Sequence, residues 1–324
     1  MKRRKLGGLE VSAIGLGCMS MTPIYGEPSE PEAIATVHRA AELGIDLIDS
    51  SDAYANGRNE ELLGRALKGC RDKIVLATKF GQIRTPDGGG SVCGTPDYVK
   101  SACEASLKRL DVDHIDLYYI HRVDPNVPIE ETVGAMARLK EAGKIRHLGI
   151  SECSVETLRR AHKTHPMAAL QTEYSLWTRD AEGGLLDACA ALGVGYVAYA
   201  PLGRGFLTGT VSDATLGEKD RRREHPRFFK DNMARNERLL PTLKELAQRE
   251  HASPAQLALA WLLSRRPFIV PLPGTKQRRW LEENAKAADL APSAETLAAL
   301  DRAFPPGVTA GPRYPEAQLK RLGL

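Results

Sequence analysis

Four residues of the chain bring together an acid, a phenol, an amine and an imidazole. Asp49, Lys79 and His121 end the apolar runs GIDLID, IVLATK and IDLYYIH, and Tyr54 lies in the loop after Asp49. A phenol has a pKa of about 10 and exchanges protons poorly at neutral pH unless a neighbouring cation stabilises its phenolate. Lys79 can supply that cation, and Asp49 can keep Lys79 charged. With His121 as a second hydrogen-bond donor, the set suits proton delivery to an oxygen that gains negative charge, as in carbonyl reduction by hydride.

The elements that must position these residues follow from the alternation of short apolar runs with amphipathic segments of helical length. KIVLATKF precedes TPDYVKSACEASLKRL, and HIDLYYIH precedes IEETVGAMARLKEAG. This alternation predicts parallel strands joined by helices. With a first strand near Gly15 to Cys18, eight such units predict an α/β fold of the closed (β/α)8 type, the TIM barrel. A doubly wound sheet would need a glycine-rich phosphate turn, and GLGCMSM offers only G-x-G with no helix directly after it.

In a barrel, the carboxyl ends of the strands meet at one rim, where active sites form. Each residue alone has a structural explanation, because a strand-end Asp often caps a helix, a Lys reaches water and a His packs in a core. Three ionisable residues at successive strand ends are harder to explain separately, so we expect one shared site. The long irregular stretches at residues 81–94 and 201–234 follow strands and should lie at the same rim. The tail from Pro305 is also irregular.

Helix starts are marked by a hydroxyl residue that stands just before a proline-containing first turn. Ser29, Thr95 and Ser253 occupy this position in SEPE, TPD and SP. Serine and threonine favour helix N-caps, and proline favours the first helical turn. We therefore expect all three hydroxyls to cap helices.

Composition places the chain among globular enzymes and binding proteins. Its 324 residues, 42% of them hydrophobic, can fill one large core, so a single domain over residues 1–324 is expected. The 45 basic and 41 acidic residues are interspersed, and the formal charge of +4 argues against nucleic acid as a partner. The six cysteines form no C-x-x-C pair, and no run suits a secretory signal or a membrane span, so a cytoplasmic protein is expected. The histidines show no metal-ligand spacing, and no metal is expected.

The strand-end motifs resemble those of the aldo-keto reductase family, from near the N-terminus to about Leu290. IDSSDAY resembles the family's strand-end Asp and following Tyr, ATKFG its Lys, YYIHRVDP its His and RHLGISE its next strand. The resemblance implies a hairpin near Arg3 to Ser12 that closes the base of the barrel, extra C-terminal helices, and a nicotinamide cofactor bound without a Rossmann domain. It also implies a complete catalytic tetrad: Asp49, Tyr54, Lys79 and His121.

The same resemblance carries cofactor-binding positions onto this chain. Ser151, Glu152 and Gln171 match the residues that hold the nicotinamide carboxamide, and Tyr199 matches the aromatic that stacks on the ring. The backbone amides that match the pyrophosphate site belong to Leu202, Gly203, Arg204 and Gly205. In PLPGTKQRRWLEENAKAA, the positions that match the adenosine site are Gly274, Thr275, Lys276, Glu283 and Asn284.

The adenosine motif favours NADPH over NADH. Thr275 and Lys276 match residues that contact the 2′-phosphate, and Arg278 or Arg279 could assist or belong to a solvated helix face. Trp280 stands where many family members carry a phosphate-binding arginine, so phosphate selectivity must rest on Lys276 and its neighbours.

The loop YANGRNEELLG and the phrase PLGRGFLTG resemble the branch of pyridoxal reductases and perakine-type reductases. The implied substrate is a small-molecule aldehyde or ketone that is bulky, aromatic or sugar-like. The residues that could line its pocket are Tyr25, Ile83, Val123 and Trp177. Two other interpretations stay open: a partner-binding regulatory protein on the same scaffold, similar to channel-associated β subunits, and a metal-dependent hydrolase or lyase. Monomer and homo-oligomer also stay open.

Overall fold

The computed structural model describes residues 1–84, 90–218 and 220–324. Residues 85–89, in the predicted loop at 81–94, and Lys219, in that at 201–234, lie outside the described residues. The described strands are β1 (Arg3–Leu6), β2 (Leu9–Ser12), β3 (Leu16–Gly17), β4 (Leu47–Asp49), β5 (Val75–Phe80), β6 (Gln82–Arg84), β7 (Gly90–Val92), β8 (Ile115–Ile120), β9 (Ile145–Ser151), β10 (Met167–Glu173), β11 (Gly195–Tyr199) and β12 (Ile269–Leu272).

Eight of these strands form one parallel sheet in the order β3, β4, β5, β8, β9, β10, β11 and β12. The amide of Gly15 donates to the carbonyl of Pro271 at 3.0 Å, and that of Gly17 donates to Pro273 at 3.1 Å. These bonds join the first strand of the sheet to the last, and the predicted (β/α)8 barrel is confirmed. Every residue of β8 is buried, as expected for a strand covered on both faces.

The predicted N-terminal hairpin is present as the antiparallel pair β1 and β2. Leu6 and Val11 are fully buried and pack against Val197 and other side chains inside the barrel. Gly195 is the first residue of β11, and a Cβ built there would overlap the Cα of Leu6. The hairpin therefore closes the barrel at the amino ends of its strands and leaves the carboxyl ends open for a site.

Helices surround the barrel, and the last of them belongs to the C-terminal tail. They are α1 (Glu30–Glu42), α2 (Arg58–Ala66), α3 (Pro96–Leu110), α4 (Ile129–Glu141), α5 (Val155–Thr164), α6 (Leu185–Leu192), α7 (Lys230–Asn236), α8 (Leu240–Arg249), α9 (Pro254–Arg265), α10 (Arg278–Ala285), α11 (Ala294–Ala303) and α12 (Glu316–Leu319). Among the described helices, none is long and apolar enough to cross a membrane.

The three predicted N-caps stand where expected, but only one hydroxyl makes a capping bond. Helices α1, α3 and α9 follow Ser29, Thr95 and Ser253 directly. Ser253 accepts from the amide of Gln256 in a full capping box, whereas Ser29 and Thr95 make no side-chain capping bond. The expectation for those two hydroxyls was wrong, because a proline and an extended cap residue are enough to begin a helix there.

The chain after α11 returns to the open end of the barrel. The amide of Gly323 donates to the carbonyl of Glu152, and the amide of Ser154 donates to the carbonyl of Leu324, both at 2.9 Å. The C-terminal tail, residues 305–324, is thereby attached to the connection between β9 and α5.

Candidate active site

Lys79 and Asp49 meet inside the barrel because β4 and β5 are adjacent parallel strands that end at the same rim. Lys79 Nζ donates to Asp49 Oδ1 and, at 2.6 Å, to the carbonyl of Ser50. Gln171 Nε2 donates to the other carboxylate oxygen at 2.9 Å. Burial lowers the pKa of Lys79, but the adjacent Asp49 carboxylate opposes it, and the pKa lies above its ordinary value. Lys79 is therefore a fixed cation.

Tyr54 lies next to this cation. It begins a single 3-10 turn, Tyr54–Gly57, in which Ala55 and Asn56 have left-handed backbone angles. Its hydroxyl is 3.5 Å from Lys79 Nζ, and the ammonium is 5.1 Å from the ring centroid. Burial raises the pKa of Tyr54, and Lys79 only partly opposes this rise. The phenol is thus protonated at neutral pH, which is the form that donates.

His121 completes the group beside Tyr54. Its ring meets that of Tyr54 edge to face, with the centroids 5.9 Å apart. Burial, and then the nearby cations Arg122 and Lys79, hold the pKa of His121 well below its ordinary value, so the imidazole is neutral. Ser51 Oγ lies 2.9 Å from His121 Nδ1. Ser51 is an addition to the site predicted from the sequence.

The predicted carboxamide residues line the rim beside the tetrad. Gln171 is tied to Asp49 as described, and Ser151 Oγ accepts from Arg122 Nη1 at 3.3 Å. Tyr199 is 2.7 Å from Glu152 Oε1, to which its hydroxyl donates. Glu152 has a φ of 53°, a costly value for a residue with a side chain, and its hydrogen bonds hold it there.

The C-terminal tail contributes two residues that the sequence did not predict. Arg313 makes two hydrogen bonds to Glu152, at 2.7 and 2.9 Å, and lowers the pKa of that carboxyl despite its burial. The hydroxyl of Tyr314 lies 3.0 Å from that of Tyr199. Burial raises the pKa of Tyr199 well above its ordinary value, and the neighbouring Glu152 and Tyr314 raise it further.

A second buried carboxylate extends the network. Glu173, the last residue of β10, lies 3.4 Å from Arg204 and 3.4 Å from Arg227. Thr178 donates to Glu173 at 2.8 Å. Arg204 also lies over the ring of Tyr314, 5.0 Å from its centroid. These contacts place the side chain of Arg204 at the rim. The sequence had led us to expect only its backbone amide there.

The predicted pyrophosphate loop has backbone angles that glycine tolerates best. Gly203, Arg204 and Gly205 all have positive φ, in a turn that begins at Gly203 after Leu202. A Cβ on Gly203 would lie 2.7 Å from the ring of Trp177. The loop follows β11 directly, so its amides lie at the same rim as Tyr199.

The predicted adenosine residues lie after β12. Lys276 Nζ donates to the carbonyls of Tyr25, Gly26 and Glu27, each at 3.2 Å, and burial lowers its pKa. Gly274 pairs with Gly17 where the barrel closes.

The remaining adenosine residues have partners of their own. Thr275 accepts from the amide of Gln277, and Asn284 is buried in α10. Glu283 accepts from Ser253 at 2.5 Å. Arg278 pairs with Glu32, and Arg279 lies over the ring of Trp280.

The predicted pocket residues do not share one environment. Tyr25 accepts from Arg204 at 3.3 Å. Val123, the residue after Arg122, is buried. Ile83 lines a separate cleft of about 460 Å³ with Asp52, whose pKa burial raises to about 7. Trp177 is stacked on Phe206 and 2% exposed. A place for Trp177 at the substrate stays a prediction.

Comparison with known proteins shows the family to which the chain belongs. The model of the Aldo/keto reductase family matches residues 13–304. The chain belongs to the aldo/keto reductase family. A probable aldo-keto reductase 1 of Glycine max is 45% identical over 314 residues, which cover 96% of this chain and 91% of that protein. This family membership makes the protein an oxidoreductase of carbonyl groups in a family that uses nicotinamide cofactors.

Solved structures of aldo/keto reductases share the fold. A glycerol dehydrogenase from Gluconobacter oxydans matches with a TM-score of 0.85 at 28% identity, over 93% of this chain and 94% of that one. A thermostable aldo-keto reductase in complex with the inhibitor epalrestat matches with a TM-score of 0.75 at 31% identity, over 94% of this chain and all 100% of that one.

Proposed function

We propose that the protein reduces an aldehyde or ketone to an alcohol with NADPH, in a reversible reaction in which Tyr54 is the general acid. The observation that carries this proposal is the contact of a partly buried, protonated phenol with Lys79, whose charge Asp49 maintains. A phenol in this position can give its proton to a carbonyl oxygen while the lysine stabilises the phenolate that is left. Bound NADPH would supply the hydride.

His121 would act as a second donor to the same oxygen. A neutral imidazole carries one N–H, and the partner of one ring nitrogen decides where it lies. If the Ser51 hydroxyl donates to Nδ1, the proton is on Nε2, which is free to face the carbonyl. The 2.9 Å separation of Ser51 Oγ and Nδ1 is a hydrogen bond whose direction depends on the imidazole tautomer, and the proposal takes Ser51 as the donor. Ser51 is then a positioning residue.

The residues after β9, β11 and β12 fit a nicotinamide cofactor. Tyr199 is aromatic and only partly buried at the rim, Gly203 and Gly205 have the backbone angles of a close-approach loop, and Lys276 supplies a cation. Lys276 would exchange its backbone carbonyl partners for the 2′-phosphate, which supports NADPH over NADH. The free thiols of all six cysteines support a cytoplasmic location.

Lys276→Met tests the cofactor assignment. We expect the variant to bind NADPH about ten- to a hundredfold more weakly, because a charge-assisted contact is lost, and to bind NADH unchanged. Tryptophan fluorescence on titration with each cofactor measures both affinities.

Lys286→Met is the matched control, because Lys286 is an exposed lysine that directly follows α10. An equal loss for both cofactors would contradict a role in phosphate selection. Failure of the unaltered protein to bind either cofactor would favour the partner-binding interpretation.

A further inference from the structure

Arg122 lies at the rim, between the ends of β8 and β9. It follows His121 directly, and its Nη1 donates to the carbonyl of His121 at 2.7 Å and to Ser151 Oγ at 3.3 Å. Burial lowers the pKa of Arg122, but its neighbours Tyr199, Tyr314, Glu152 and Tyr54 raise it above its ordinary value. Its hydrogen bonds to His121 and Ser151 hold the guanidinium beside the imidazole that is proposed to face the substrate oxygen.

Five other cations around the rim are paired with carboxylates, whereas Lys276 donates to backbone carbonyls of the described residues and is assigned to the cofactor phosphate. Lys79 pairs with Asp49, Arg313 with Glu152, Arg204 and Arg227 with Glu173, and Arg222 with Asp220.

Arg122 differs from these cations. No carboxylate of the described residues lies within 4.0 Å of it, and within that part of the chain only its Nη1 has hydrogen-bond acceptors. The two oxygens of Glu152, the nearby carboxylate, are already bound by Arg313. A partly buried guanidinium without an ion partner is costly, and its planar donors suit a carboxylate or phosphate.

The cofactor would not supply that anion. Its proposed phosphate sites follow β11 and β12, whereas Arg122 follows β8, and β9 and β10 stand between them in the barrel. The nicotinamide ring, which would lie nearer, carries no negative charge. An anion at Arg122 would therefore come from the second ligand of the reaction.

We propose that Arg122 binds an anionic group of the substrate, so that the preferred substrate is an aldehyde or ketone that also carries a carboxylate or phosphate. This inference rests on the proposed reductase function. Arg122 then sets specificity: its ion pair orients the substrate while Tyr54 and His121 contact the carbonyl oxygen.

The test compares matched substrates that differ in charge. For the carboxylate, kcat/KM is measured with 4-formylbenzoate and with its neutral methyl ester; for the phosphate, with glyceraldehyde 3-phosphate and with glyceraldehyde. We expect the unaltered protein to prefer the anionic member of at least one pair. Arg122→Gln should lower that preference about tenfold or more, mainly through KM, and Arg122→Lys should keep part of it. Whichever pair responds identifies the anion.

Arg159→Gln is the control, because it removes an exposed arginine on α5 and should keep the preference. Arg122 would lose its assigned role if the neutral substrates were preferred, or if Arg122→Gln reduced both members of a pair equally while weakening NADPH binding; the second result would assign Arg122 to the cofactor. Reduction of none of the four aldehydes by the unaltered protein would instead overturn the proposed reductase function, and this inference with it.

Discussion

At the scale of single residues, burial shifts the pKa values of the three ionisable groups of the proposed proton-transfer site in different directions. It raises the pKa of Tyr54 and lowers that of His121, so both are uncharged hydrogen-bond donors at neutral pH. It also opposes the charge of Lys79, which survives because Asp49 is in direct contact. Lys79 was expected from the sequence to hold the phenol ready to ionise; the structure adds that burial outweighs this effect in the free protein.

Ser51→Ala tests the positioning of His121. Loss of the Nδ1 partner should let the imidazole proton occupy either nitrogen, and we expect kcat to fall about tenfold with NADPH affinity unchanged. Steady-state kinetics and cofactor titration measure the two quantities. Ser51→Thr restores the hydroxyl and should restore most of kcat, whereas a hydroxyl-independent kcat would show that His121 is oriented by other contacts.

The placement of Asp49, Lys79 and His121 at one rim could be predicted because each ends an apolar strand run that the sequence makes visible; their catalytic role stays a proposal. Ser51 and Arg122 were present in the same motifs, IDSSDAY and YYIHRVDP, but nothing in those letters shows which way a side chain points. The partner of Glu152 could not be predicted, because Arg313 lies 161 positions away and in an irregular tail.

At the scale of elements, the alternation of strand-like and helical segments predicted the barrel, and the family resemblance implied the N-terminal hairpin. How closely the hairpin packs against the barrel is seen only in the structure. Gly195 admits the backbone of β1 against the start of β11. By contrast, the N-caps at Ser29 and Thr95 show the limit of local motifs: the residue type and position were right and the hydrogen bond is absent.

Gly195→Ala should destabilise the protein by about 1–3 kcal/mol, because the added Cβ meets the backbone of the hairpin and cannot be accommodated by a side-chain rotation alone. The free energy of unfolding, measured in urea, checks this value. Gly8→Ala in the same hairpin is the control, since a Cβ there has nothing within 4 Å. Equal stability of the two variants would show that the hairpin does not pack against β11 as described.

At the scale of the whole molecule, the packing of the hairpin and the proposed active site lie at opposite ends of the barrel. Its amino end is closed by the hairpin, and its carboxyl end gathers the tetrad, the predicted cofactor residues and the C-terminal tail. The tail reaches this end through the bonds of Gly323 and Leu324 and adds Arg313 and Tyr314 to the rim. The strand-end residues could be assigned to the rim from the sequence, whereas the tail could not be positioned, because its irregular pattern carries no periodicity.

The most direct test of the account is the turnover of Tyr54→Phe, followed as NADPH oxidation with an aldehyde that the unaltered protein reduces. We expect kcat to fall about a hundredfold or more with NADPH affinity nearly unchanged, because the phenol is the proposed proton donor. Tyr118→Phe is the control. Tyr118 lies on β8, the strand next to that of Lys79, and its buried hydroxyl has no hydrogen-bond partner among the described residues. Turnover of this variant should persist. Undiminished turnover of Tyr54→Phe would contradict the central claim.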